Sequence, residues 1–128
     1  MTRFKEALKQ RQWAFDYMKV PNRVIVMSDD LDSLISCCFY SYLTGYPIGY
    51  FYDFKTMSGI DPKDTRERIY IDIAVRYGKC IDNHVQRFTL KSKVNNEAIN
   101  FNSIYEIWRG NYYEKFAMST LIMLYATY

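Results

Sequence analysis

Arg23-Val24-Ile25-Val26-Met27-Ser28-Asp29-Asp30-Leu31-Asp32-Ser33-Leu34-Ile35-Ser36 is the stretch on which the fold turns. Its first five residues form a short apolar run rich in β-branched side chains, too short for a helix and long enough for a strand buried on both faces. Three acids follow. From Ser33 to Thr44 there is no helix breaker and the segment is apolar almost all round, with Gly45 placed to end a buried helix. Strand, acidic turn and helix make one βα unit, in which Asp32 stands where a helix N-cap would be.

Working outward, Ile48-Gly49-Tyr50-Phe51-Tyr52 reads as a second strand and Ser58-Gly59-Ile60-Asp61-Pro62 as a turn. Arg68-Ile69-Tyr70-Ile71-Asp72 and Lys79-Cys80-Ile81-Asp82 are two further short strands, each ending on an aspartate. The pattern predicts an α/β fold: a mainly parallel sheet of about four or five strands with helices on both faces. Ligands of such sheets sit beyond the carboxyl ends of the strands, where Asp30, Asp32, Asp72 and Asp82 would converge.

The flanks complete a single domain over residues 1–128. Thr2 is placed to cap an N-terminal helix that packs on the domain within residues 1–20, with Phe4, Ala7, Leu8, Ala14, Phe15 and Met18 on one face, ending before Pro21. Residues 88–102 are polar and Asn-rich and read as a loop, with a helix resuming at Ser103. The segment 112–128 carries Tyr113, Phe116, Ala117, Thr120, Leu121, Leu124, Tyr125 and Tyr128 at helical spacing. Met118, Ile122 and Met123 give it a second apolar face, to be covered by a second copy of the chain or by a missing C-terminal domain.

Composition narrows the class. With 49% hydrophobic, 18% aromatic and 24% charged residues, disorder and low complexity are excluded. Thirteen Tyr and eight Phe favour half-buried rings that keep a polar tip at water or a partner. A net charge of +3 is too small for a protein held to nucleic acid by phosphate contacts alone. Three cysteines, two of them the neighbours Cys37 and Cys38, argue against a disulfide framework and for a reducing compartment. No run approaches the ~20 apolar residues of a membrane span and no signal peptide precedes the first helix, so the expected location is cytoplasmic, without membrane partners.

Three strand-end signals carry the chemistry: Ser28-Asp29-Asp30-Leu31-Asp32-Ser33-Leu34-Ile35-Ser36, Ile69-Tyr70-Ile71-Asp72 and Cys80-Ile81-Asp82-Asn83-His84-Val85. In order and context, residues 20–90 resemble the DHH phosphoesterase family, which includes single-strand exonucleases, cyclic-dinucleotide and nanoRNA phosphodiesterases and the family II inorganic pyrophosphatases. Phosphoryl transfer to water needs compensation for charge on the non-bridging oxygens, and two divalent ions supply it.

The resemblance implies that Asp30 ligates one ion, Asp32 the other, and Asp72 bridges them. Asp82 and His84 belong to the catalytic set, His84 contacting the phosphate or the leaving oxygen. Asn83 stands at the metal-site position where the family has a second His. Val26 stands where several branches carry another imidazole, so an oxygen-rich Mg²⁺ or Mn²⁺ site is expected. No Asp follows Asp82, leaving Glu106 or Glu114 to replace a downstream ligand, and the family's second, substrate-binding domain is missing.

Arg87 and Lys91, within a basic run that also holds Arg76, Lys79 and Lys93, are the candidates for substrate phosphate. The implied activity is metal-dependent hydrolysis of a phosphoester of a nucleotide or of a single-stranded nucleic acid end. The alternative is a degenerate, inactive domain of the same type that binds a phosphorylated ligand or a protein partner. A haloacid-dehalogenase-type reading of Asp30-Leu31-Asp32 ranks below both, because Ser28 and Asp29 separate those aspartates from the hydrophobic strand.

Overall fold

The computed structural model describes residues 2–128. The elements in chain order are α1 (Arg3–Lys9), a 3₁₀ turn (Gln12–Ala14), β1 (Arg23–Ser28), α2 (Leu31–Thr44), β2 (Ile48–Tyr52), β3 (Met57–Gly59), β4 (Glu67–Ile71), β5 (Cys80–Ile81), α3 (Phe101–Ile104), a second 3₁₀ segment (Arg109–Glu114) and α4 (Thr120–Thr127). The α/β fold carries a five-stranded mixed sheet of order β3-β2-β1-β4-β5. The β1–β2, β1–β4 and β4–β5 pairs are parallel and β2–β3 is antiparallel. The stretch read as a turn at Ser58 therefore contributes an edge strand.

The central strand β1 is apolar on both sides. Ile25 joins a core with Ile69, Ile71 and Ile81, covered by Cys37 and Tyr40 of α2, Met123 and Leu124 of α4, and Trp13. Val24 and Val26 face the other way, against Tyr50 and Ile73, with Tyr52, Tyr70 and Val75 around them. No helical residue belongs to this second cluster, so the expectation of helices on both faces is corrected. The connection between β4 and β5 is only eight residues long. That is too short for a crossover helix; instead Ile73 and Val75 fold under the sheet and tyrosine rings cover the valines.

Four helix boundaries depart from the sequence reading, each because a side chain captures backbone. The helix expected to resume at Ser103 is α3, begun at Phe101 by the cap of Asn100, whose Oδ1 accepts from Ser103 N at 2.9 Å. α2 starts two residues early, capped by Asp30, whose Oδ1 accepts from Ser33 N at 2.8 Å. The N-terminal helix ends at Lys9, well before Pro21. Arg11 leaves helical geometry (φ −115°, ψ 49°) and buries its guanidinium, donating from Nη1 to Ala7 O at 2.7 Å and from Nε to Ala98 O. Trp13 follows it inward, its indole donating to Glu97 O at 2.9 Å.

The long C-terminal helix is likewise interrupted between Glu114 and Thr120. Asn102 Oδ1 accepts from Phe116 N at 2.7 Å, and Asn83 Nδ2 donates to Phe116 O at 3.1 Å and to Met118 O, taking the groups a continuous helix would pair internally. Ser119 then caps α4. Of the two expected apolar faces, Met123 and Leu124 are buried, whereas Met118 and Ile122 are 50% and 43% exposed. No helix is long and apolar enough to cross a membrane among the described residues.

Candidate metal centre

The carboxyl edge of the parallel strands gathers the acids. Asp72 follows β4 immediately, is buried, and has φ +59°, a left-handed conformation uncommon for a non-glycine residue. Its Oδ1 accepts from Thr120 Oγ1 at 2.5 Å. Burial pushes its carboxyl up to about 7, and the nearby carboxylates of Asp32 and Asp30 add to the rise.

Asp82 follows β5 and is fully buried. Its Oδ1 meets His84 Nδ1 at 2.5 Å, while Oδ2 accepts from Asn100 Nδ2 at 3.0 Å and Gln86 Nε2 at 3.1 Å. The carboxylate therefore orients the imidazole, holds its pKa up at about 9, and leaves Nε2 as the uncommitted ring nitrogen. Ligand atoms of Asp72, Asp82 and His84 all lie within 4.8 Å of one another.

Asp32 enters from the first turn of α2. Its Oδ2 accepts from Thr120 N at 2.7 Å and its Oδ1 from Leu121 N at 3.1 Å and Ser36 Oγ at 3.2 Å. Thr120, fully buried, thus holds Asp32 through its amide and Asp72 through its hydroxyl. The three converge on a cleft of about 180 Å³ whose other wall carries His84, Lys115 and Tyr112.

The cleft does not gather every residue expected there. Asp30 caps α2 with its side chain exposed and lies outside the cleft lining; its charge reaches Asp72, its oxygens do not join the group. Asn83, expected as a ligand, spends its amide nitrogen on the carbonyls of Phe116 and Met118 and its Oδ1 on Asn102 Nδ2 at 3.2 Å, so it fastens the cleft wall. Arg87 lies outside this lining, and Lys91 is exposed on the loop beyond it. Besides His84 the lining carries Lys115, whose Nζ sits 4.3 Å from the Tyr112 ring centroid and donates to Tyr112 Oη at 2.8 Å.

Lys115, Thr120, Asn100 and Gln86 escaped the sequence reading. Thr120 carried a faint signal, a hydroxyl within an apolar run. Asn100 stood in a segment whose richness in Asn reads as loop.

Asp32 and Asp72 both line the cleft, and Asp72 belongs with Asp82 and His84 to a group whose spacing could hold a metal ion. Among the described residues no Lys or Arg forms an ion pair with Asp32 or Asp72, and a carboxyl whose pKa is driven up by burial, with neighbouring carboxylates adding to it, gains from a positive ion. Carboxylate oxygens are hard donors of the kind that accommodate Mg²⁺ and Mn²⁺. Compared with protein-family models, with curated proteins and with solved structures, the chain matches none.

Proposed function

We propose that this chain is a metal-dependent phosphoesterase of the DHH type, hydrolysing a phosphoester of a nucleotide or of a single-stranded nucleic acid end. The observation that carries the reading is that Asp32, Asp72 and His84 line one cleft after three separate strands, with the buried Asp82 behind His84 and within 4.8 Å of it and of Asp72. Asp32 and Asp72 hold the divalent ion, Mn²⁺ or Mg²⁺, which supplies charge neutralisation and an activated water when bound. Asp82 positions His84, and His84 Nε2 carries the proton that the leaving oxygen requires. Lys115 faces the charge that develops on the phosphate. The cleft's small volume admits the reacting phosphate and leaves the rest of the substrate outside.

A second reading, an inactive domain that binds a phosphorylated ligand or a protein partner, draws support from two features. The N-terminal amides of α4 occupy both oxygens of Asp32, and Asn83 is turned to the backbone of Phe116 and Met118. Titration calorimetry with MnCl₂, paired with hydrolysis of bis(p-nitrophenyl) phosphate, separates the two. The enzyme reading expects Mn²⁺ binding lost in Asp72→Asn and turnover lost in His84→Gln. Absence of Mn²⁺ binding by the folded wild-type chain would overturn it.

A further inference from the structure

We infer that a second cleft, lined by Val85, Arg87, Phe88, Arg109 and Tyr112, binds an unpaired nucleotide of a single-stranded nucleic acid. It deepens the phosphoesterase reading and rests on that reading only for where the reacting end of the strand would lie. The cleft encloses about 440 Å³, within the usual range for organic ligands, and shares Val85 and Tyr112 with the acidic cleft beside it. A strand end in the acidic cleft would thus have its next base at the rings of Tyr112 and Phe88.

Two properties select this occupant. Phe88 is 72% exposed in a loop and offers a π-face to a base; beside it Tyr112, in the second 3₁₀ segment and 49% exposed, carries Lys115 Nζ over its ring. Arg87 and Arg109 supply two positive charges with no acidic residue in the lining, complementary to a phosphodiester. Neither arginine forms an ion pair among the described residues. Arg87 donates from Nη1 to Leu90 O at 3.0 Å, while its Nε is buried with no partner. The backbones that carry the two arginines are joined, since Arg109 N donates to Arg87 O at 3.0 Å beside the parallel Arg87–Trp108 bridge.

The test is fluorescence anisotropy of a labelled hexathymidine strand with the full chain in EDTA, so that binding is read without the metal centre. Saturable binding is expected, with the dissociation constant rising roughly 5- to 100-fold in Phe88→Ala, the loss of one base-stacking partner, and returning toward wild type in Phe88→Trp. Arg109→Gln should lower the slope of log affinity against log salt by about 0.7, one phosphate contact. Thermal melts of each variant check that the fold is retained; Phe88 and the Arg109 surface are exposed enough for it to be.

No binding by wild type, unchanged affinity in Phe88→Ala, or equal affinity for a blunt duplex would overturn the inference. If such a result accompanied intact Mn²⁺-dependent hydrolysis, the proposed function would stand and this cleft would fall. Strand binding that Phe88→Ala weakens, in a chain that takes up no Mn²⁺, would instead support the nucleotide cleft and overturn the phosphoesterase.

Discussion

Replacing Asp72 by Asn should make the metal-free protein more stable at alkaline pH. Asn is the natural probe because it tolerates the left-handed backbone at this position and its carbonyl can still accept from Thr120 Oγ1. The ordinary carboxyl value is 3.8 and the folded value about 7. With the group ionised in both states, as at pH 8, that difference costs the folded protein about 4 kcal/mol. The cleft is open to water and screening roughly halves the figure, leaving about 2 kcal/mol, or ~6–10 °C in melting temperature for a domain of this size.

The sign follows from the raised pKa of an acid. The penalty is absent below about 3.8, grows as pH climbs toward about 7, and is complete above it. Melting curves of wild type and Asp72→Asn in EDTA at pH 8 and pH 4 should therefore differ strongly at the first and by a few tenths of a kcal/mol at the second. Mn²⁺ should then stabilise wild type and leave the variant unmoved. A variant less stable than wild type at pH 8, or a difference independent of pH, refutes the reasoning that Asp72 is held against its own charge.

Further outcomes follow from other contacts. His84 has a pKa raised by Asp82 to about 9, so the pair's contribution to stability is whole below about 6.5 and disappears as pH rises through 9; His84→Gln should flatten that limb of the Tm–pH curve. Asn83→Ala frees the Phe116 and Met118 carbonyls and should cost about 1–3 kcal/mol in urea unfolding. For the same reason Asn83→His should give no tighter Mn²⁺ binding by calorimetry. Leu34, Ile35 and Ile122 are each more than 40% exposed on α2 and α4, and we expect concentration-dependent self-association in light scattering that Ile35→Glu abolishes.

Much of this arrangement was legible because period and chemistry coincide in short stretches. The β-branched run at Val24 to Val26 placed the central strand, Gly45 ended α2, and aspartates directly after Ile71 and Ile81 marked the sheet edge where the cleft forms. What escaped is non-local. Nothing near Arg11 announces that its guanidinium will reach Ala98, nor does helical spacing at Tyr113 to Leu124 reveal that Asn83 and Asn102 will pull the segment open. The two aspartates flanking Leu31 are interchangeable by composition. Only the three-residue step from Asp30 to Ser33 assigns the cap to the first and frees the second for the cleft.

Thr120 has a bearing on the order in which the molecule is made. It joins Asp32 and Asp72, which lie 88 and 48 residues earlier in the chain. During synthesis β1, α2, β2 and β4 can pair long before residue 120 clears the ribosome, and until then Asp32 lacks its two amide partners and Asp72 its hydroxyl. The nascent chain would thus carry an open, repelling cluster of acids that closes only when α4 docks beside α2. The sheet can therefore assemble first, and the acids gain their partners in a separate, later step of packing helix on helix.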